Sequence, residues 1–426
     1  MLLKFRFKNY SCFKEWQEID LLDFATSLDK ICASPVSGII GTNKSGKSSI
    51  IKLLQVSIDF LKHFLNYEKT VDFNPNRNQS ISAKSNPFVF NNFSNIFKKT
   101  TEEIQEINNT VEEQKEILES NQWLDENHNL SKKTIKINNE YEPYNACIEL
   151  FFLDSTTLYK YELSFNHLYS EYERLSISEN NGDQEIKWKY IYKKENLTYD
   201  VINQEETCVY SIDLDLDFLK VKKEPSFIHI NKKNSLISYI KSISQSNALT
   251  NFLKLYSNVV FVDENNWQGI YKTYNIDKDY LKRNKSKFIL ALNTLGFNVV
   301  DFSVNQININ SFYLMIGKKN IHEKVMYINS EYESETLNKV IHILYYVFNA
   351  LDNSQVLVMD NLNKSLNHDI VAYIIDLFNK QEGDIDNKAQ FIFTMNSKYE
   401  NDLIGICQST NRVESDDVES KIKRVI

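Results

Sequence analysis

The chain has 426 residues, which is too many for one compact core and predicts two or three lobes. Its formal net charge of −8 excludes a surface that is basic throughout, although it leaves room for a local basic groove. The five cysteines are odd in number and lack the Cys-x-x-Cys spacing of a metal site or a redox pair. We therefore expect reduced thiols and a cytoplasmic protein.

The first ten residues alternate apolar and basic side chains, which predicts a half-buried strand and no signal peptide. The longest apolar run, Val340 to Leu351, is interrupted by His342 and Asn349 and is too short to span a bilayer. The sequence therefore predicts no membrane segment.

The most specific motif lies at residues 36–50, which read VSGIIGTNKSGKSSI. This stretch fits the phosphate-binding P-loop pattern G-x-x-x-x-G-K-S/T, preceded by an apolar strand and followed by apolar positions at helical spacing. In such a loop, backbone N–H groups converge on a phosphate at a helix N-terminus. We expect ATP as the ligand, with Lys47 reaching its β and γ phosphates and the Ser48 hydroxyl ligating Mg²⁺. The predicted nucleotide-binding residues are Gly41, Asn43, Lys44, Ser45, Gly46, Lys47, Ser48 and Ser49.

Hydrophobic periodicity predicts the other elements. In chain order these are two strands in 1–22, a helix from the P-loop to about Leu65, an exposed polar loop at 74–86, an acidic amphipathic helix at 100–120, a hairpin at 147–165 with further strands to about Ile212, helices at 235–256 and 277–295, strands at 299–304 and 312–316, and an apolar helix at 336–351. The acidic helix lies in a charged stretch that we interpret as a protruding insertion or a partly disordered arm. Such a stretch can bind a partner, but we favour a solvated excursion.

A basic cluster occupies ten residues of the second predicted helical segment. Its members are Lys278, Lys282, Arg283, Lys285 and Lys287. Such a cluster can contact nucleic-acid phosphates, or it can form one solvated face of a helix. We favour the solvated face because no aromatic side chains interleave to stack on bases.

A second half of the nucleotide site is predicted where the apolar run Val356 to Met359 ends at Asp360. The run predicts a buried strand, and we expect it to lie beside the P-loop strand. A carboxylate at that strand end can accept hydrogen bonds from the water shell of Mg²⁺. Ser48 and Asp360 are therefore the predicted metal-site residues.

Six segments appear in the order expected of one ATPase family. They read LLKFRFKNYSCFKEWQEIDL, GTNKSGKSS, IELFFLDSTTLYKYELSF, SEYESETLNKV, VLVMDNLNKSLNHD and QFIFTMNSKYE. On these segments the chain resembles the ABC-type ATPase heads of the overcoming-lysogenization-defect and abortive-infection kind, found in bacterial anti-phage systems and related to SMC and RecF ATPases. The resemblance covers most of the chain and implies an ATP- and Mg²⁺-binding head that acts with an effector or toxin protein from an adjacent gene.

Three positions depart from the family pattern. The glutamate that usually follows the strand-end aspartate is Asn361, and an amide can orient water but cannot accept its proton. The family's Ser-Ser-Gly-Thr signature falls on Glu333, Ser334, Glu335 and Thr336, so that a carboxylate replaces the glycine. The histidine of the family's switch falls on Asn396. In an alternative alignment, Glu331 and Glu333 belong to the signature and His368 faces the site.

We therefore expect an α/β fold, a P-loop NTPase of ABC-ATPase type with an antiparallel β lobe and helical insertions. The expected divisions are lobe one with the P-loop at 1–98, a helical or partly disordered insertion at 99–144, the antiparallel sheet of lobe one at 145–215, a helical insertion at 216–295, and lobe two with the strand that ends at Asp360 at 296–426. The expected function is a regulatory or scaffold subunit of a defence system with weak or absent hydrolysis. The alternative is an active ATPase clamp on DNA, and homo-oligomers and hetero-oligomers both remain open.

Overall fold

The computed structural model describes residues 1–23, 31–67, 146–154, 157–165, 170–179, 186–202, 205–221, 236–262, 276–308, 311–362, 366–381, 389–399, 406–415 and 419–425. The loop predicted at 74–86 and the insertion at 99–144 lie outside these residues. Among the described residues, no helix has both the length and the apolar character needed to cross a membrane.

An antiparallel sheet of seven strands forms the first layer. Its strands are β1 (Leu2–Lys8), β2 (Gln17–Asp20), β4 (Ala146–Asp154), β5 (Thr157–Phe165), β6 (Ser170–Glu179), β7 (Lys189–Ile202) and β8 (Glu205–Leu214). They lie in the order β2-β1-β4-β5-β6-β7-β8. The hairpin predicted at 147–165 corresponds to β4 and β5, whose last pair joins Asp154 to Thr157.

A second sheet carries the P-loop. Its strands are β3 (Val36–Gly41), β9 (Val259–Val262), β13 (Val356–Met359), β14 (Gln390–Asn396), β15 (Ser409–Ser415) and β16 (Ser420–Arg424). Their order is β16-β15-β3-β14-β13-β9, and all neighbours are parallel except β15 and β16. The expectation that β13 lies beside β3 is therefore wrong, because β14 separates them.

A third, smaller sheet of β10 (Asp301–Asn308), β11 (Ser311–Lys319) and β12 (Val325–Asn329) is antiparallel. The helices are α1 (Lys47–Tyr67), α2 (Leu216–Leu219), α3 (Leu236–Ile243), α4 (Asn247–Ser257), α5 (Lys278–Arg283), α6 (Lys285–Thr294), α7 (Glu335–Asp352) and α8 (His368–Asn379). The helix predicted at 277–295 is two helices, because Asn284 ends α5 and begins α6. Asparagine favours such caps because its side chain competes for backbone hydrogen bonds.

The central strands β3, β13 and β14 of the P-loop sheet are buried almost throughout, which explains why they are mainly apolar. Every residue of β3 is buried, and its side chains divide between two cores. Ile39 packs into the core shared with the antiparallel sheet, α1 and α4. Val36 and Ile40 pack into the core shared with α6, α7 and α8. This double covering fixes the end of β3, from which the P-loop emerges.

Candidate functional site

The P-loop connects the last residue of β3 to the first turn of α1. The turn closes through left-handed backbone at Lys44, with φ 67°, and at Gly46, with φ 103°. Helix α1 begins at Lys47 and runs for 21 residues. The backbone N–H groups of its first turn have no partner within the helix and lie at the positive end of the helix dipole, which suits a phosphate.

Two glycines are required by close packing around the loop. A Cβ on Gly46 would lie 2.8 Å from the Cys12 sulfur and 2.8 Å from the Phe13 ring, so the turn between β1 and β2 packs directly on the loop. A Cβ on Gly41 would lie 2.6 Å from both the Ser45 hydroxyl and the Val413 carbonyl oxygen of β15. Side chains at either position would displace the cradle.

The Lys47 ammonium is turned into the loop. It donates hydrogen bonds to the carbonyl oxygens of Gly41 at 2.8 Å and Thr42 at 2.6 Å, and the residue is only 7% exposed. Burial lowers the pKa of Lys47, while the nearby Asp360 carboxylate opposes that shift. A buried cation beside a helix N-terminus fits a polyphosphate. The two carbonyl dipoles only partly balance the charge of the Lys47 ammonium, and a phosphate would supply the remaining negative charge.

Asp360 follows β13, and its two carboxylate oxygens are held by different groups. The Thr394 hydroxyl of β14 donates to Oδ1, and the Asn361 amide nitrogen lies 3.2 Å from Oδ2. The same amide nitrogen lies 3.5 Å from the Ser48 hydroxyl oxygen. The fold thus brings Ser48 and Asp360 close to one asparagine amide nitrogen. Thr394 is a residue that sequence reasoning missed, because a buried threonine in an apolar strand carries no motif.

Asn396 and Ser11 are two further residues that hold the P-loop in place. The Asn396 amide at the end of β14 donates to the Asn43 side-chain oxygen at 2.8 Å. The Ser11 and Ser49 hydroxyls lie 3.3 Å apart and join the β1–β2 turn to the start of α1. The first contact joins the P-loop to the end of β14, and the second joins the start of α1 to the β1–β2 turn.

The residues aligned with the signature lie at the start of α7. The Ser334 hydroxyl accepts a hydrogen bond from the Leu337 backbone at 3.2 Å and so caps the helix. Glu335 is exposed in the first turn, where an acidic side chain is favourable, and its carboxylate lies 2.5 Å from the Lys339 ammonium. Thr336 is exposed in the same turn. The charge of Glu335 is therefore partly compensated within α7.

The alternative alignment assigns Glu331 and Glu333 to the signature and His368 to the nucleotide site. Glu333 forms an ion pair with Lys318 of β11 at 2.6 Å. His368 is an exposed residue at the start of α8, with its ring 4.0 Å from the Asp369 carboxylate. Glu331 is exposed in the turn that follows β12. The ion pair of Glu333 thus lies on β11, and the described contact of His368 is with its own neighbour on α8.

The basic cluster on α5 and α6 is matched by acidic partners. The ion pairs are Lys282 with Asp279 at 4.0 Å, Arg283 with Asp277 at 3.6 Å, Lys287 with Asp352 at 2.7 Å, and Lys285 with Asp301. The basic groups of four of the five residues thus lie within ion-pair distance of a carboxylate. This pairing is typical of a solvated helix face and reduces the positive charge available to a nucleic acid.

The donor set fits a metal ion that brings other ligands with it. In the part of the chain that the structure describes, no three His, Cys, Asp or Glu side chains cluster in a way that could hold a metal by themselves. Ser48 and Asp360 supply one hydroxyl and one carboxylate. Mg²⁺ binds in this way when nucleotide phosphates and water complete its octahedral shell.

Solved structures of SMC heads and of RecF are the structural neighbours of this chain. The Smc head bound to the C-winged helix domain of ScpA has a TM-score of 0.46 and 11% identity, covering 100% of this chain and 98% of that one. An Smc head with an extended coiled coil, bound to the C-terminal domain of ScpA from Pyrococcus furiosus, gives 0.41 and 11%, covering 100% and 96%. The recombination mediator RecF with ATPrS gives 0.33 and 12%, covering 99% and 98%.

No protein-family model matches the chain, and no curated protein matches it. The chemistry of the site therefore follows from its own residues: a P-loop at a helix N-terminus, a buried lysine, and a hydroxyl and a carboxylate separated by an amide.

Proposed function

We propose that this protein binds ATP with Mg²⁺ at the junction of β3, α1 and β13. The observation that carries the proposal is the Lys47 ammonium, which is buried in the loop and donates hydrogen bonds to two backbone carbonyls. Ser48 and Asp360 would face the metal. When bound, Mg²⁺ would neutralise phosphate charge, while the first turn of α1 would donate backbone hydrogen bonds to the same phosphates.

We propose further that the site binds nucleotide with little or no turnover. Asn361 stands next to Asp360, where the resemblance implies a glutamate, and no carboxylate replaces it among the contacts of Ser48 and Asp360 described above. An amide can position a water molecule but cannot take its proton, so general-base assistance is absent. Asn396 stands where the resemblance implies the switch histidine, and its amide is engaged with Asn43.

A nucleotide-binding head without turnover suits a regulatory or scaffold subunit. We propose this role in a bacterial anti-phage defence system, in the cytoplasm, with a separate effector or toxin from an adjacent gene. The support is the ordered set of segments in the sequence together with the three altered positions. The alternative of a DNA-acting ATPase clamp drew support from the basic cluster on α5 and α6, and the ion pairs of that cluster weaken it.

The binding proposal is tested by titrating ATP into the purified protein with Mg²⁺ in a calorimeter. Lys47→Ala should abolish measurable binding, because it removes the buried cation that meets the phosphates. Lys254→Ala removes an exposed lysine of α4 and is the matched control, which should bind as the wild type does. Equal ATP affinity of the wild type and Lys47→Ala would refute the proposal.

A further inference from the structure

The Asn361 amide lies between the two residues that would face the metal. Its nitrogen is 3.2 Å from Asp360 Oδ2 and 3.5 Å from Ser48 Oγ. An amide nitrogen carries two N–H donors, so one group can serve both oxygens. The hydroxyl and the carboxylate thus share a positively polarised group placed between them.

The backbone fixes this position of the amide. Asn361 adopts left-handed backbone with φ 52°, a conformation that asparagine tolerates better than most residues. Its N–H donates to the Thr394 hydroxyl at 2.8 Å, and that hydroxyl in turn donates to Asp360. The main chain of Asn361 and the carboxylate of Asp360 are thereby tied to the same atom of β14. The backbone of Asn361 is thus held, and the amide leaves Asp360 only by a side-chain rotation that breaks its 3.2 Å contact.

We infer that the Asn361 amide occupies the place of the metal ion and makes ATP binding at this site weakly dependent on Mg²⁺. The inference rests on the proposed binding of ATP. Without the metal, the amide donors offset the negative charge of Asp360 that would otherwise repel the phosphates. With the metal, the amide must turn away before Ser48 and Asp360 can face it. Both effects reduce the gain in affinity that Mg²⁺ brings.

The measured quantity is the ratio of the ATP dissociation constant in EDTA to that in saturating Mg²⁺. Asn361→Gly removes the amide and keeps the left-handed backbone available, since glycine adopts positive φ without steric cost. We expect this variant to raise the ratio by about tenfold, within the usual range of coupling between two ligands, because Asp360 then repels phosphate in EDTA and binds metal without competition. Asn361→Asp retains the shape and adds a carboxylate, so it should raise the ratio further.

Asn396→Ala is the matched control, because it removes an amide of the same size from the end of β14 and leaves Ser48 and Asp360 untouched. Its ATP affinity should fall in both conditions while its ratio stays at the wild-type value. Thermal melting of each variant establishes that it is folded. If Asn361→Gly does not fold, Asn361→Asp provides the same comparison.

The outcomes separate this inference from the proposal on which it rests. ATP binding to the wild type in both conditions, with a ratio that rises in both Asn361 variants, supports the inference. A ratio that is unchanged in Asn361→Gly and Asn361→Asp overturns it and leaves ATP binding intact. Failure of the wild type to bind ATP in either condition overturns both.

Discussion

Gly41→Ala should damage the cradle by crowding two neighbours at once. The added Cβ would lie 2.6 Å from the Ser45 hydroxyl and 2.6 Å from the Val413 carbonyl oxygen, well inside the 3.0 Å that real contacts respect. The Ser45 side chain is buried, and Val413 pairs with Gly41 in the register of β15 with β3. The clash is therefore relieved only by moving the loop or separating two buried strands.

Overpacking of this kind typically costs about 1–3 kcal/mol of unfolding free energy. In a protein of this size the midpoint of thermal unfolding would fall by roughly a few degrees. A shift of the cradle by a few tenths of an ångström would also misplace the phosphate donors. We expect ATP affinity to weaken by about tenfold, which corresponds to about 1.4 kcal/mol.

Gly38→Ala on the same strand is the matched control. A Cβ there would lie 3.5 Å from the Phe393 ring, which is an ordinary van der Waals distance. Its effect on unfolding should stay within about 0.5 kcal/mol. Thermal melting and ATP calorimetry of both variants provide the comparison. If Gly41→Ala has the same melting temperature and ATP affinity as Gly38→Ala, then β15 does not approach the P-loop as closely as the structure indicates.

Three further predictions address catalysis, assembly and pH. Asn361→Glu should raise phosphate release by about 10²–10⁴-fold if the missing base limits turnover, and wild-type release at an ordinary rate would show that another base is present. ATP should not drive a homodimer of the wild type in light scattering, whereas Glu335→Gly should permit one. Two like charges about 4 Å apart repel by roughly 4 kcal/mol at an effective dielectric near 20, and the Lys339 ion pair lowers this repulsion. Burial lowers the pKa of His342 to about 4, so on acidification this histidine is protonated in the unfolded chain at a higher pH than in the folded chain. About 3 kcal/mol of stability present above pH 6.5 should therefore be lost as the pH falls to 4, and His342→Leu should flatten that slope in chemical denaturation.

Local patterns predicted the P-loop and the strand that ends at Asp360. A P-loop can be recognised in a sequence because its glycines, lysine and serine all lie in one short stretch of the chain. The apolar run before Asp360 can be recognised as a strand because a strand buried on both faces lacks polar positions. Helix α7 also lies within one residue of the predicted bounds, since its apolar positions recur at helical spacing over eighteen residues.

Long-range pairing could not be predicted in the same way. The position of β14 between β3 and β13 depends on which distant strands pair, and no local spacing encodes that choice. Strand β9 was missed because Val259–Val262 has only four residues and follows directly on a helix. The contact of Asn396 with Asn43 joins residues 353 positions apart, so only the folded chain reveals it.

Asn361 and Asn396 both hold polar contacts around the P-loop. Here Asn361 bonds Asp360 and lies within reach of Ser48, and Asn396 bonds Asn43, so each amide ties the P-loop region to a different strand end. Both contacts use donors that neutral amides supply at every pH. A glutamate at the first position would instead lie beside Asp360 and repel it until a metal intervened. The two amides therefore favour a cradle that is already organised before ATP arrives, as the proposed scaffold role requires.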